Sequence, residues 1–437
     1  MTKQRQHRTG HLGTGCSAVS VALAFAITFA LMVVVPAARA QSYTYNKVHD
    51  FQGQPDGEHP EAGVTLDRAG NIYGTTNIGG IHNLGMVYKL APKGSGWVLS
   101  DLYSFTGTQD GGDPIARVVF GPDGSLYGTT SSTVFNLKPS ASACKTAECF
   151  WSETVIAKGL SYPGSGDLVF DSAKDMFGTT TSGGANDDGE VFECIYSNGK
   201  YSCSDIYDFT GNDDGAGPNG VILDAAGNLY GTAFDGGMEG YGTVFQLKPA
   251  GPPWAEATLY YFICYNYPDG CYPVAGLTFD PSGNLFGATI ESDYKSAVDG
   301  TAFELFPDGG WNNFKLTEDF PCGDSGVCST EGGPWRSMFM DSKGNLYGTN
   351  YENGAYGYGS VFELINNEDD SWTYQDLYDF CSVQQGRTCI DGAYPLSNVV
   401  MDSAGNLYGT AMEGGNGTNC GQAACGVVWE LTPSTEH

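Results

Sequence analysis

The sequence is poor in basic residues: it contains 20 Lys and Arg against 50 Asp and Glu, a formal net charge of −30 at pH 7. A surface this acidic repels the phosphates of nucleic acids and the headgroups of anionic lipids. We therefore expect no nucleic-acid partner and no membrane-surface role. Histidine is also scarce, with only four residues after position 40, at 49, 59, 82 and 437. This scarcity disfavours histidine-dependent catalysis.

Long apolar runs are limited to a single one, from Ala18 to Val35. Basic residues precede it, and Ala38-Arg39-Ala40 offers small residues for cleavage. The pattern predicts a signal peptide at residues 1–40, a mature domain at residues 41–437, and a secreted or periplasmic protein without membrane insertion. An uncleaved membrane anchor is the alternative interpretation. Residues 1–40 hold four of the basic residues and no acidic one, so the mature chain carries −34.

Cysteine is present in an even number after residue 40, and the residues fall into close pairs. In an exported chain such pairs indicate disulfides. A zinc site is the alternative, but no Cys-x-x-Cys occurs. The predicted local bridges join Cys144 with Cys149, Cys194 with Cys203, Cys264 with Cys271, Cys322 with Cys328, Cys381 with Cys389, and Cys420 with Cys425.

A tandem repeat fills the rest of the chain. Each copy has an apolar triplet, Asp-x-x-Gly-Asn, Leu-Tyr-Gly-Thr, a glycine-rich stretch and Val-Phe-Glu-Leu. The glycine of the Leu-Tyr-Gly-Thr element recurs seven times, at Gly74, Gly128, Gly178, Gly231, Gly287, Gly348 and Gly409. A period of fifty to sixty residues with strand-like content indicates one supersecondary unit that must stack on its copies to bury its apolar faces.

Each unit contains four short apolar runs bounded by Gly, Pro, Asn and Asp, which predicts four antiparallel strands, here called a to d. In the fourth unit they are 221–223, 229–233, 244–247 and 254–262. The mature chain opens with a d-like strand, 45–51, and ends on a c-like strand, 428–431. Pairing these two ends would close an all-β, seven-bladed propeller without a free sheet edge. An open β-solenoid is the alternative, although it does not explain the displaced strand.

The signature of Asp-x-x-Gly-Asn-Leu-Tyr-Gly-Thr with a downstream Gly-Thr-Val-Phe-Glu-Leu resembles the GloVer-type tandem repeat of exported bacterial proteins. More distantly it resembles propeller repeats of the NHL type. The resemblance covers residues 44–431. It implies an extracytoplasmic repeat protein and brings no established catalytic residue with it. The second unit departs from the signature with Gly121 in place of Asp.

Two sets of repeated residues are predicted to be structural. The first aspartate of the signature is expected to accept backbone hydrogen bonds across the a–b turn. The aromatic residue before the repeat glycine is expected to pack between blades. Metal ligation is the alternative role of these aspartates, but one isolated carboxylate per blade does not make a site. The aspartates are Asp67, Asp171, Asp224, Asp280, Asp341 and Asp402.

The d–a and b–c connections of such blades share one face, and variable loops on a rigid scaffold commonly bind ligands. The d–a connections repeat Asp-Gly-x-x-Pro, which either turns the chain into the next blade or contributes to binding. The predicted ligand-binding residues on this face are Asp56, Asp110, Asp214, Asp269, Glu331, Asp391, Asp235, Tyr241, Tyr356 and Tyr358. Neutralising Asp214, Asp269 and Asp391 is accordingly expected to leave the fold intact.

The sequence predicts a monomeric, non-enzymatic module that binds a glycan, a peptide or a protein partner. One alternative is a polysaccharide- or ester-active hydrolase or lyase that uses carboxylates on this face, and another is a structural envelope protein. No catalytic residue is predicted. Calcium is the one cofactor that the sequence suggests. The acidic string at residues 186–190 favours calcium but lacks the spacing of an EF-hand.

Overall fold

The structure is a computed structural model. It describes residues 42–139, 151–163, 166–264, 269–292, 298–308, 310–311, 313–321, 332–367, 369, 371–420 and 424–434. The chain divides into two units, Met1–Ala40 and Gln41–His437. The described residues belong to the second unit, so the predicted signal peptide lies outside them. No described segment forms a helix that could span a membrane.

Seven four-stranded antiparallel sheets make up this unit, as the sequence predicts. The chain begins with β1 (Tyr43–Asp50). Six blades then follow in chain order, each with its strands in the order a, b, c, d. The first blade contains β2 (Thr65–Leu66), β3 (Ile72–Thr76), β4 (Met86–Lys93) and β5 (Gly96–Ser104). The second contains β6 (Val119–Phe120), β7 (Leu126–Thr129), β8 (Thr133–Lys138) and β9 (Ser152–Lys158). The third contains β10 (Val169–Phe170), β11 (Met176–Thr180), β12 (Glu190–Ser197) and β13 (Lys200–Asp208).

The second half of the ring repeats this plan. The fourth blade contains β14 (Ala216–Leu223), β15 (Leu229–Asp235), β16 (Thr243–Lys248) and β17 (Ala255–Tyr261). The fifth contains β18 (Thr278–Phe279), β19 (Leu285–Thr289), β20 (Val298–Phe306) and β21 (Asn313–Pro321). The sixth contains β22 (Phe339–Met340), β23 (Leu346–Asn350), β24 (Ser360–Asn366) and β25 (Trp372–Asp379). An unpredicted hairpin, β26 (Gln384–Gln385) and β27 (Thr388–Cys389), lies in the next d–a connection.

The seventh blade closes the ring. It contains β28 (Val400–Met401), β29 (Leu407–Ala411) and β30 (Val427–Pro433), and its d strand is β1. The N-terminal strand pairs antiparallel with β30, with Tyr45 opposite Leu431 and Lys47 opposite Trp429. The predicted closure by the first strand is therefore confirmed, and the last c strand has no open edge.

The repeat glycine has a packing role. Gly231 lies opposite Phe245 on the neighbouring c strand. A Cβ on Gly231 would lie 2.5 Å from Cζ of the Phe245 ring, which is closer than packed atoms approach. Every blade places the ring of its c strand over this glycine in the same way. The rings belong to Tyr88, Phe135, Phe192, Phe245, Phe303, Phe362 and Trp429, and all seven side chains are buried.

The a–b turns and the packing between blades agree with the sequence. Asp224 accepts hydrogen bonds from the backbone N–H groups of Ala226 and Asn228 at 2.8 and 2.9 Å. Its second oxygen accepts from the Tyr230 hydroxyl at 3.1 Å. The ring of Tyr230 packs edge-on against Phe279 of the next blade, with centroids 5.3 Å apart. The turn therefore also holds the ring that joins two blades.

Four of the six predicted cysteine pairs are disulfides: Cys194–Cys203, Cys264–Cys271, Cys381–Cys389 and Cys420–Cys425. The first bridges the opposite residues of β12 and β13. The others staple loops on the face that carries the d–a and b–c connections, below called the d–a face.

The remaining two predicted bridges are not among these disulfides. Cys144 and Cys149 lie outside the described residues. Cys322 and Cys328 lie outside the described residues as well. The pairing of Cys144 with Cys149 and of Cys322 with Cys328 therefore stays a prediction.

Candidate functional site

The aspartates of the Asp-Gly-x-x-Pro motif are held by the protein itself. Asp214 is buried and accepts hydrogen bonds from the Thr210 N–H and hydroxyl groups at 2.9 and 2.5 Å. It also accepts from the Tyr207 hydroxyl at 2.9 Å. Asp269 is 0% exposed and accepts from Tyr260 and from two backbone N–H groups. These carboxylates fasten each d–a turn to the strand before it.

The other members of this set fit the same pattern. Asp110 accepts from Tyr103 and Thr106, and Asp391 accepts from Tyr378 and Ser382. In the closing blade a histidine replaces the tyrosine: His49 Nε2 lies 3.1 Å from Asp56 Oδ2. Glu331 lies outside the described residues. The structure thus supports the turn interpretation for the five described carboxylates. A ligand-binding role for them remains a prediction.

The proline of the motif also joins neighbouring blades, because it packs on the glycine at the start of a c strand. A Cβ on Gly242, at the start of a c strand, would lie 2.5 Å from Cδ of Pro273. Pro273 belongs to the Asp-Gly-x-x-Pro motif that leads into the next blade. The same contact recurs at Gly85 with Pro114, and at Gly189 with Pro218. The motif is therefore a joint between blades.

Burial and hydrogen bonding oppose each other at these carboxylates. Burial raises the pKa of Asp110, but hydrogen bonds from Thr106 and Tyr103 outweigh it, and the net pKa is below the usual value. At Asp269 burial is the stronger effect, and the pKa is raised in spite of three donors. The same motif thus holds carboxylates with opposite shifts.

The predicted loop residues lie in two aromatic groups on the d–a face. Tyr241 packs edge-on against Tyr272, with centroids 5.8 Å apart, and Phe234 stacks on the same ring. Tyr358 contacts Tyr394 at 5.5 Å. Tyr356 is 50% exposed, and Asp235 is exposed at the end of β15. Tyr241 and Tyr358 therefore contact different aromatic partners.

Side chains from several blades converge at the propeller axis. They occupy a position that sequence reasoning missed. Four residues before the a–b turn aspartate, each unit has a residue that differs from copy to copy. We call this set the axial ring: Gly63, Arg117, Asp167, Gly220, Gly276, Ser337 and Asn398. All except Gly63 line one central cavity of about 470 Å³, together with Asn219 and Arg336. We call this cavity the axial pocket.

The axial pocket has a polar level and an apolar level. Two residues further along each a strand, the lining side chains are mainly apolar. They are Val119, Val169, Ile222, Thr278, Phe339 and Val400. Because side chains alternate along a strand, residues two positions apart both face the axis. The polar axial ring adjoins the d–a connections and so lies toward the d–a face.

Polar contacts cross between blades within the pocket. Arg117 donates to Asp167 Oδ2 through Nε at 3.0 Å and also through Nη2, and the two side chains are 23% and 20% exposed. Asn398 Nδ2 donates to Ser337 Oγ at 2.7 Å. Asp167 Oδ1 is buried and has no hydrogen-bond partner among the described residues.

Arg336 reaches the same pocket from the residue before the axial ring. Nη1 and Nη2 lie 3.4 and 3.5 Å from the carbonyl oxygens of Trp335 and Ile115, at the long limit for hydrogen bonds. Burial lowers the pKa of Arg336, and the charges of Glu61 and Asp167 oppose this shift. Because arginine stays protonated in proteins, the guanidinium is a cation in this polar pocket.

A second polar cluster lies away from the axis, in the third blade. Carboxylate oxygens of Glu190, Asp205 and Asp208 all lie within 4.8 Å of one another. Burial, together with the neighbouring charges of Asp205 and Asp208, raises the pKa of Glu190 to about 7. These three residues could hold a cation through oxygen ligands. Calcium binding nevertheless remains a prediction.

Comparisons with known proteins agree with the repeat and the fold. Residues 130–331 match the family model of the Gloeobacter/Verrucomicrobia repeat. This confirms the predicted GloVer-type repeat, and the matched segment contains the third, fourth and fifth blades. In sequence, none of the curated proteins matches the chain.

Solved structures with the same architecture are distant in sequence. Virginiamycin B lyase from Staphylococcus aureus superposes with a TM-score of 0.50 at 10% identity, over 90% of this chain and 100% of that chain. The extracellular domain of a protein described as a hybrid two-component system of B. thetaiotaomicron gives 0.52 at 10% identity, over 89% of this chain. A second such domain gives 0.50 at 13% identity. This chain corresponds to 39% and 41% of those two chains. Identity this low shows the fold alone.

Proposed function

We propose that the protein is an extracytoplasmic binding module that holds a carbohydrate in the axial pocket. The observation that carries the proposal is the axial ring. The blade signature repeats in each unit, whereas this position differs between copies and presents arginine, aspartate, serine and asparagine from different blades to one cavity. A concave pocket with a few convergent polar groups is the usual form of a small-molecule site.

The chemistry of the lining suits a sugar. Arginine, aspartate and asparagine side chains offer the donors and acceptors that a ring of hydroxyl groups requires. The apolar level, with Val119, Ile222 and Phe339, can cover the C–H face of such a ring. A cavity of about 470 Å³ is of the size of small-ligand pockets. Exposed aromatic residues on the d–a face, such as Tyr356, extend the same character outward.

Binding is favoured over hydrolysis by the acids that line the pocket. Glycoside hydrolysis commonly uses two carboxylates that flank the scissile bond. Among the described lining residues Asp167 is the single carboxylate, and Arg117 pairs with it. Hydrolysis of that kind would need a second carboxylate in the pocket. A hydrolase or lyase therefore remains the alternative, and a peptide partner or a structural envelope role would be recognised by the absence of sugar binding.

The location rests on the disulfides as well as on the predicted signal peptide. Four bridges are present in the structure, and disulfides form and persist in oxidising compartments. Extracellular domains also occur among the structural neighbours. The proposal therefore places the module outside the cytoplasm.

The experiment is a glycan array on oxidised residues 41–437, followed by calorimetric titration with each sugar that binds. The double variant Arg117→Gln, Asp167→Asn removes the axial ion pair, and Arg68→Gln changes an exposed arginine on the opposite face. Loss of sugar binding in the first variant, with binding retained in the second, supports the proposal. Absence of sugar binding by the unaltered protein, or binding that the axial double variant leaves unchanged, would overturn it.

A further inference from the structure

We infer that the axial pocket selects an acidic carbohydrate, and that Arg336 holds the carboxylate of a uronic acid residue. The inference rests on the proposed function and deepens it. It follows from the charge distribution, from the hydrogen bonds of Arg336, and from the aromatic side chains beside it.

Arginine is concentrated at the axis. Residues 41–437 contain four arginines, at 68, 117, 336 and 387, and two of them line the axial pocket. In a chain with so many acidic residues, this placement makes the pocket an exception to the negative surface. The two arginines differ in their partners. Arg117 is neutralised by Asp167. Arg336 has no carboxylate within ion-pair distance among the residues that the structure describes.

The donors of Arg336 are available to a ligand. A guanidinium has five N–H donors, and among the described residues Arg336 makes two long hydrogen bonds, both to backbone carbonyl oxygens. Glu61 and Asp167 are the acids whose charges act on Arg336. Glu61 accepts a hydrogen bond from Asn77 Nδ2 at 2.8 Å and does not line the pocket. A planar carboxylate matches the fork of a guanidinium and forms two parallel hydrogen bonds with it.

Ser337 supplies a further donor beside this cation. Its Oγ accepts a hydrogen bond from Asn398 Nδ2 at 2.7 Å. The serine hydroxyl can therefore direct its own proton toward an acceptor in the pocket. A guanidinium and a hydroxyl donor on successive residues favour an anionic oxygen over a neutral hydroxyl group.

Aromatic rings continue outward from Arg336 across the d–a face. Trp335 precedes Arg336 and packs against Tyr351 with centroids 5.8 Å apart. Tyr351 contacts Tyr394 at 5.1 Å, and Tyr394 contacts Tyr358 at 5.5 Å. All four side chains are partly exposed. We call them the aromatic track. Sugar rings stack on exposed aromatic faces through their C–H groups, so the track can bind further residues of a chain whose acidic unit occupies the pocket.

The test is calorimetric titration of oxidised residues 41–437 with D-galacturonate and D-glucuronate, with D-galactose and D-glucose as the neutral counterparts. We expect the uronates to bind more tightly than the neutral sugars. Arg336→Gln should weaken uronate binding by roughly tenfold to a hundredfold, the usual effect of losing a hydrogen bond to a charged group. It should change the binding of neutral sugars far less.

Two further variants control for indirect effects. Arg336→Lys keeps the charge without the fork and should fall between the unaltered protein and Arg336→Gln. Arg68→Gln removes an exposed arginine on the opposite face and should leave binding unchanged. Thermal denaturation of each variant establishes that it is folded.

The outcomes separate the two proposals. Equal binding of uronates and neutral sugars, or uronate binding that Arg336→Gln leaves unchanged, would overturn the role of Arg336 while the proposed carbohydrate site stands. Absence of binding by any sugar, on the array and in titration, would overturn the proposed function and this inference with it.

Discussion

The d–a turns and the axial ring lie side by side on one face of the propeller. In the second blade Asp110 and Arg117 are seven residues apart. Asp110 is buried, and its oxygens accept hydrogen bonds from Tyr103 of the preceding strand and from Thr106 of the same connection. Arg117 reaches across to Asp167 of the next blade, and both side chains remain about a fifth exposed toward a cavity.

The difference shows that the repeated residues hold the blades together, whereas the axial ring faces a cavity. We call the repeated residues of the turns and of the joints between blades the frame. Side chains that recur in every copy satisfy one another, because each copy must make the same turn and the same joint. The position of the axial ring varies between copies and is not needed for that local geometry, so its polar groups can face a ligand. Removing a recurring group should therefore reduce stability, whereas changing the axial ring should alter binding with little effect on stability.

The largest effect on stability is expected from deleting the strand that closes the ring. Deleting residues 42–51 removes β1 and leaves the hydrogen-bonding edge of β30 without a partner. It also removes Phe51, which is 0% exposed, and the stack of Tyr45 on Tyr378 at 4.4 Å. We expect loss of the cooperative thermal transition or aggregation, measured by calorimetry and size-exclusion chromatography.

A peptide of residues 42–51, added to the truncated protein, is the control for this deletion. If the missing strand is the cause, the peptide should restore part of the transition in a concentration-dependent way. A truncated protein that melts at the temperature of the full mature chain would show that the ring does not depend on this strand.

The next largest effect concerns the d–a turns. Asp269→Asn replaces an acceptor by an amide that cannot accept all the bonds from Tyr260, Ile263 and Cys264. We expect it to lower the free energy of unfolding by about 1–3 kcal/mol. This revises the sequence-based expectation that neutralising Asp214, Asp269 and Asp391 leaves the fold intact. Unchanged urea denaturation of Asp269→Asn would contradict the structural role.

Asp110 should show how such a turn depends on pH. Its folded pKa is below the unfolded value of about 4, because hydrogen bonds from Thr106 and Tyr103 outweigh burial. Its contribution is therefore fully present above the unfolded pKa and is lost as pH falls through the folded pKa. The destabilisation by Asp110→Asn should be largest at neutral pH and should shrink below about pH 4. Urea denaturation across this range measures it, and a pH-independent difference would contradict the shift.

A smaller effect, of opposite sign, is expected at Glu190. Its folded pKa is about 7, raised by burial and by the charges of Asp205 and Asp208. The fold holds this proton more tightly than the unfolded chain, so the contribution is present at low pH and is lost as pH rises through about 7. Glu190→Gln should raise the melting temperature by a few degrees at pH 8 and change it little at pH 4. Calcium that binds here should stabilise the unaltered protein at pH 8 and not the variant, whereas a variant less stable at pH 8 would contradict the prediction.

The fold could be predicted from the sequence because strand signals and the repeat reinforce each other. Counting strands at the two ends required β1 to join the last blade, and the structure shows that pairing. The hairpin β26–β27 was not predicted, because the run 384–389 has neither the length nor the apolar alternation of a blade strand.

The axial pocket could not be predicted in the same way, because its residues do not form a recurring motif. Which side chains face the axis follows only when the a strands are arranged around it. Two signals were nevertheless present in the sequence. Arg117, Asp167 and Asn398 stand where other copies have glycine or serine. Tyr103 lies seven residues before Asp110, and Tyr207 lies seven residues before Asp214. This constant spacing indicates the hydrogen bond that each tyrosine donates to its aspartate.

The smallest effect on stability is expected at the axial ring. Arg117→Gln, Asp167→Asn shortens the first side chain, keeps the size of the second and removes the two charges together. Partly exposed ion pairs contribute about 0–1 kcal/mol, so the double variant should unfold almost like the unaltered protein. Arg117→Gln alone should cost more than the double variant, because it leaves the Asp167 carboxylate without its cation in a confined pocket. A full set of urea denaturations for both single variants and the double variant gives this coupling directly. If the double variant instead loses as much stability as Asp269→Asn, the axial ring is part of the frame, and variation at that position does not mark a site.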